Sequence, residues 1–174
     1  MMITGRVWKF SDNINTDLIL PGHLLHASEE EQWRATFSAH RPGWVDQVQR
    51  GDIVLAGENF GTGSSRPAAR SLRNLGIACT IADSLNGLFL RGCVTFGLLA
   101  LECPGISKGF EEGQSAEVSL DDFRIRNMTT GAVFTAQPLP RQLLDMMRSG
   151  GLFPLLEAEG LLSRPEPAAP RSGH

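Results

Sequence analysis

The stretch DIVLAGENFGTGSSRPAARSLRNLGIACTIA, residues 52–82, decides the fold. Asp52 to Gly57 is a short continuous apolar run bounded by a carboxylate and a glycine, the pattern of a strand buried on both faces. From Pro67 the spacing of Ala68, Leu72 and Leu75 is helical, and Gly76 ends the helix ahead of a second buried run, Ile77 to Ala82. Strand, turn, helix and strand in this order predict a parallel pair joined by a right-handed crossover, with a ligand at the carboxyl end of the first strand. The turn Gly61 to Arg66 lies at that end.

Upstream, Met2 to Phe10 places Ile3, Val7 and Trp8 among polar neighbours and reads as a strand that stops at Ser11-Asp12-Asn13. After Asn15-Thr16-Asp17, the apolar Leu18 to Leu20 runs into Pro21-Gly22, so Asp17 sits beside a sharp bend. Residues 23–50 hold His23, His26, His40, Trp33, Trp44 and the acidic run Glu29 to Glu31 without sustained alternation. This is read as a variable loop whose first half forms a short helix, since early carboxylates favour a helix N-terminus. The histidines read as solvated, the acidic run as a solvated face, and the tryptophans as either a lid or anchors of the loop.

Downstream, Ser84 is expected to cap a short helix through Phe89, and Phe96 to Glu102 to form another buried strand closed by Pro104-Gly105. Beyond Gly113 come short alternating segments, Ala116 to Leu120, Phe123 to Asn127 and Ala132 to Ala136, with Thr129-Thr130-Gly131 as a hairpin signal. Leu139 to Met147 regains helical spacing until Gly150-Gly151 and is read as packing alone. The expected class is α/β: a buried, mostly parallel sheet flanked by helices, with a β-rich C-terminal half. One domain spans residues 1–163, and the Pro- and Ala-rich residues 164–174 are expected to be a flexible tail.

Composition narrows the function. A net charge of −3 gives no broad positive footprint for nucleic acid. The longest apolar runs, such as Gly97 to Leu101, fall far short of the roughly 20 residues that span a bilayer, and Met1 to Phe10 lacks a signal-peptide hydrophobic stretch. A cytoplasmic protein is expected. Cys79, Cys93 and Cys103 form neither an even set nor a close pair, so they read as small buried side chains and no metal is assigned to this chain.

The turn Asn59-Phe60-Gly61-Thr62-Gly63-Ser64-Ser65-Arg66 sets two glycines, two serine hydroxyls and a guanidinium ahead of a helix opening at Pro67. Free amides and the Arg66 guanidinium suit a carboxylate, and Arg70 lies one turn further on the same face. Removing a proton next to that carboxylate requires a base, and Ser64 can serve if neighbouring donors stabilise its alkoxide. The residues alone also admit a plain helix cap by Ser64 and Ser65. A phosphate loop fits poorly, because neither the Lys-Ser/Thr ending nor the GxGxxG spacing is present.

Asn15-Thr16-Asp17 with Ile19 and Pro21, then Gly57 and Asn59 to Arg66, then Gly76-Ile77 and Ile81 to Ser84, resemble the swivelling β/β/α domain of aconitases. The form most similar is the small subunit of isopropylmalate isomerases, over about Met2 to Gly151. The resemblance implies a two-chain hydro-lyase that reversibly dehydrates a malate-like 2-hydroxy acid. It makes Ser64 the base, gives Ser65 and Arg66 the substrate carboxylate and places Asp17 at the site. Gly63, Thr62 and Arg70 are expected to line the substrate, and residues 23–50 correspond to the loop that sets substrate specificity. No cofactor is expected on this chain; a [4Fe-4S] cluster is implied on a large partner subunit, where it acts as Lewis acid on the leaving hydroxyl. The family's Glu-His after Ser-Ser-Arg is replaced here by Pro67-Ala68. Substrates other than 3-isopropylmalate (dimethylmalate, methylmalate, homoaconitate) and a non-catalytic carboxylate-binding module are the alternatives.

Overall fold

The computed structural model describes residues 1–162; the expected tail, 164–174, lies outside them. Seven strands form one sheet in the order β4-β3-β2-β1-β5-β6-β7. These are β1 (Met2–Lys9), β2 (Ile53–Ala56), β3 (Cys79–Ala82), β4 (Leu99–Glu102), β5 (Ser115–Ser119), β6 (Arg124–Asn127) and β7 (Val133–Thr135). The class is the α/β one expected, with a clean division of labour. β1 to β4 pair in parallel, and β1, β5, β6 and β7 pair antiparallel.

β1 belongs to both halves. Its Val7 to Lys9 align with Ile53 to Leu55, while Met2 to Arg6 align with Ser119 to Ser115. The partners change beside Gly5, where a Cβ would collide with the Gly51 carbonyl, so the strands approach too closely for any side chain. β2 and β3 have no solvent-exposed residue, which explains their unbroken apolar runs. β5 and β6 alternate buried and less buried positions, as expected of a sheet covered on one face.

A buried carboxylate fixes the start of β2 against β1. Asp52 Oδ2 accepts hydrogen bonds from Arg6 Nη2 and Trp8 Nε1, both at 2.7 Å, and from the Gln49 N–H at 2.9 Å. Burial alone would push the Asp52 carboxyl up, but these donors and the Arg6 charge together hold it below the ordinary aspartate value. Trp8 also meets Trp44 edge-on, and Trp44 packs with Phe10 and Phe37. Trp44 is fully buried, so it anchors the 23–50 loop to the core. Arg41, over the Trp8 ring and paired with Glu112, closes this cluster from outside.

The helices are α1 (Thr16–Ile19), α2 (Glu29–Arg34), α3 (Ala68–Asn74), α4 (Gly87–Phe96), α5 (Arg141–Arg148) and α6 (Leu152–Ala158). α2 starts with a capping box, Ser28 and Glu31 bonding each other's backbone, so the acidic run is a helix start with assigned partners. α4 differs from the expectation. Asn86, not Ser84, caps it by accepting from the Leu88 N–H, and the helix continues through Phe96 to Gly97 at φ +71°. Ser84 is already committed: its Oγ accepts from the Asn59 N–H at 2.7 Å. The segment expected as strand from Phe96 therefore begins at Leu99. α6 was not expected from the sequence; Gly97 packs directly on Gly150-Gly151 and turns the chain into it. Cys79, Cys93 and Cys103 are buried free thiols. Among the described residues no helix is long and apolar enough to cross a membrane.

Asp52→Asn should destabilise the fold by about 2 kcal/mol at neutral pH, the worth of a charge-assisted bond with a partly exposed partner. Because the folded Asp52 value lies below the ordinary 3.8, its contribution is complete above that range and is lost as pH falls through the folded value. Urea unfolding between pH 6 and 2 should show a shallower acid loss in the variant than in the parent.

Candidate active site

The carboxyl ends of β1 and β2 continue into two loops, residues 12–17 and 57–66, that are laced together. Asp12 Oδ1 accepts from the Glu58 N–H at 2.8 Å, and a Cβ at Gly57 would collide with that oxygen. The Asn13 N–H donates to the Glu58 carbonyl at 2.8 Å, and Asn59 Nδ2 donates to Asn13 Oδ1 at 3.1 Å. Both asparagines adopt left-handed backbone, φ 57° and 58°, which asparagine tolerates better than most side chains. The Gly61 N–H donates to the Ile14 carbonyl at 2.7 Å and the Thr16 N–H to the Thr62 carbonyl at 2.8 Å. Phe89 from α4 presses on Gly61 from the other side, leaving no room for a Cβ there. α4 thus reaches the turn through Phe89, which also packs edge-on against Phe60.

This lacing delivers Ser64, Ser65 and Arg66 to one place. Ser64 and Ser65 are exposed, whereas Arg66 lies largely under the turn, its side chain 13% exposed against 62% for Asp17. The Arg66 guanidinium makes three different contacts. Nε donates to Ser64 Oγ at 3.0 Å, Nη1 to the Leu20 carbonyl at 3.3 Å, and Nη2 is paired with Asp17 Oδ1 at 2.5 Å. Of five guanidinium hydrogens, two remain for a further acceptor. The N–H groups of Gly63, Ser64 and Ser65 meet no acceptor among the described residues and are free for an anion.

The helix-cap reading of the serines does not hold: α3 has Pro67 at its N-cap position and no side-chain cap. Ser64 instead takes its hydrogen bond from Arg66. Pro67 therefore stands one residue ahead of the helix it was expected to open, and Ala68 is fully buried. The ties of residues 61–66 run to residues 14–20 and none to positions 67 and 68.

Arg70 lies apart from these residues. Its guanidinium donates to Glu29 Oε1 at 2.9 Å and Gln32 Oε1 at 2.8 Å and lies over the Phe96 ring, bracing α2 on α3. It is not gathered with Ser64, Arg66 and Asp17; the (i, i+4) spacing from Arg66 placed it on a shared face, but Glu29 and Gln32 supply acceptors that the sequence could not locate. His23, His26 and His40 are exposed. The sequence reading missed Thr16, the Leu20 carbonyl and Gly22. Gly22 packs on the guanidinium so closely that a Cβ would lie 2.7 Å from Arg66 Nη1. The Pro21-Gly22 bend was visible in the sequence, though not what it packs against.

Arg70→Ala should loosen α2: amide exchange across residues 29–34 should rise while exchange in β2 and β3 stays as in the parent, with a stability loss of about 1 kcal/mol or less. A variant whose α2 exchange is unchanged would remove the bracing role.

The Aconitase C-terminal domain family matches residues 40–105. The isopropylmalate/citramalate isomerase small subunit of Methanocaldococcus jannaschii is 41% identical over 158 residues, 90% of this chain and 94% of that protein. The 3-isopropylmalate dehydratase small subunit 1 of Methanopyrus kandleri is 39% identical over 161 residues, 91% of this chain and 95% of its own length. A crystal structure of 3-isopropylmalate dehydratase from Methanocaldococcus jannaschii superposes with a TM-score of 0.87 at 29% identity, covering 92% of this chain and 96% of that one. With the laced turn and the mixed sheet in hand, these likenesses over nearly the whole chain establish that it belongs to the 3-isopropylmalate dehydratase small-subunit family, of the aconitase type.

Proposed function

We propose that this chain closes the active site of a two-subunit hydro-lyase that isomerises 3-isopropylmalate, with Ser64 as its base. The carrying observation is the 3.0 Å bond from Arg66 Nε to Ser64 Oγ. A serine hydroxyl is far too weak an acid to act as a base unless its alkoxide is stabilised, and a guanidinium donor fixed on the oxygen does that electrostatically. Ser64 Oγ would take the proton from the carbon beside the substrate carboxylate. The Ser65 hydroxyl, the two remaining Arg66 hydrogens and the amides at Gly63 to Ser65, with Thr62 alongside, bind that carboxylate. Asp17 holds Arg66 from the far end and keeps its plane fixed.

The residues of this chain do not fit an iron–sulfur cluster. Its three thiols are buried, with burial and then the Asp83 charge pushing Cys103 up to about 11. No grouping of His, Cys, Asp or Glu among the described residues could hold a metal ion. A [4Fe-4S] cluster is proposed on the large partner subunit, as the resemblance to aconitases implies, and would supply the Lewis acid for the leaving hydroxyl. Reduced, buried thiols also suit the cytoplasmic location proposed here.

The substrate is proposed as 3-isopropylmalate because the relatives carry that name, one of them together with citramalate. Residues 23–50, anchored by Trp44 and braced through Arg70, are where a different alkyl group would be selected. Assays of the complex with its large subunit on 3-isopropylmalate, citramalate, dimethylmalate and homoaconitate test this reading. Ser64→Ala should lower kcat at least a hundredfold with the complex intact, and Arg66→Lys should raise KM and lower kcat together, since lysine cannot reproduce the Nε contact. Unchanged turnover in Ser64→Ala would remove the base assignment and leave a carboxylate-binding module.

A further inference from the structure

We propose that Thr16 is the positioning residue of the catalytic turn, setting where Ser64 Oγ stands without itself touching substrate. The inference rests on Ser64 being the base.

Ser64 and Ser65 are exposed, and their amides and that of Gly63 make no hydrogen bond within the described residues. Gly63 has φ +107°, in the region open to glycine, so within residues 63–66 only the Arg66 Nε bond to Ser64 Oγ restrains the chain as it leaves Thr62. Thr16 supplies the missing restraint. Its N–H donates to the Thr62 carbonyl at 2.8 Å and its Oγ1 to the Ser64 carbonyl at 3.0 Å. One residue therefore grips two carbonyls on either side of the flexible glycine. The hydroxyl sits under Gly63 itself, where a Cβ would come within 3.1 Å of it.

Thr16 is itself immobilised. It is 2% exposed and opens α1, whose cap Asn15 accepts from the Leu18 N–H at 2.9 Å. Arg66 is secured independently, through Asp17 and the Leu20 carbonyl. The two anchors divide the work: residues 17–20 hold the Arg66 guanidinium, and Thr16 holds the peptide that joins Ser64 to Ser65. Loss of the hydroxyl leaves Ser64 held by the Arg66 Nε bond alone and loosens the backbone about Gly63, so that Oγ moves relative to the anchored guanidinium. Displacement of a reacting group by about an ångström costs about a hundredfold in rate.

The test uses the complex of this chain with its large subunit and the dehydration of 3-isopropylmalate. Thr16→Val keeps the shape and removes the donor; kcat should fall about tenfold to a hundredfold, more than KM rises, and Thr16→Ser should restore it. Thr16→Val added to Ser64→Ala should cost nothing more, because a residue acting through Ser64 has nothing left to position. Amide exchange at residues 62–66 should rise in Thr16→Val. Thr16→Ala gives the same comparison if the valine variant fails to assemble. Parental kcat in these variants, or a raised KM with kcat unchanged, overturns the proposal. If Ser64→Ala is inactive while Thr16→Val is normal, only the role of Thr16 falls; if Ser64→Ala turns over normally, the base reading falls and carries Thr16 with it.

Discussion

The hydrogen-bonded lacing of residues 12–17 to residues 57–66 is the constraint on which this structure depends. Neither loop has regular structure to hold it beyond the four-residue α1, yet Ser64, proposed as the base, is exposed and still tied down. The solution is to exhaust the main-chain groups of one loop against the other: Asn13 on Glu58, Gly61 on Ile14, Thr16 on Thr62. Each bond contributes only about 1 kcal/mol net, but together they fix the loops to the ends of two strands whose own spacing is set by the sheet. The amides at residues 63–65 are left without an acceptor among the described residues once the lacing is complete.

That spacing traces back to β1, which is shared by a parallel and an antiparallel half. A strand with two kinds of neighbour must be held in register on both sides. Asp52 does this at the start of β2 by collecting donors from Arg6 and Trp8 of β1 and from the Gln49 backbone. The indole that meets Asp52 also carries the aromatic cluster that anchors residues 37–44. Sheet register and loop position therefore share one buried carboxylate. The other end of the loop is joined to the site helix α3 by Arg70, Glu29 and Gln32. Residues 23–50 are thus tied both to the sheet and to the helix that follows the Gly-Ser-Ser-Arg turn.

The contrast between Arg66 and Arg70 shows where sequence reasoning stops. Both guanidiniums lie four positions apart around one turn, and both can bind carboxylates. Arg66 meets Asp17, the Leu20 carbonyl and Ser64, while Arg70 meets Glu29 and Gln32. Helical spacing describes a face; it does not say which acceptors a chain crossing that face will bring. Ser84 and Asn86 differ for the same reason. Either can cap a helix, and the choice fell to Asn86 because the Asn59 amide, 25 residues away, had claimed Ser84.

The sequence by itself determined the α/β class, the buried strands β2 and β3, the alternating β5 to β7, the short helix opening the variable loop and the location of the Gly-Ser-Ser-Arg turn after β2. These are consequences of periodicity and of glycine and proline punctuation, which act over a few residues. Tertiary structure alone decided that β1 changes partners beside Gly5, that Gly97 against Gly150 and Gly151 leads into α6, that Arg70 is a brace, and that Thr16 grips the turn from 48 residues away. Those outcomes depend on which donors and acceptors meet once water is excluded. Burial makes an unpaired group costly, and only the completed packing reveals which partner is within reach.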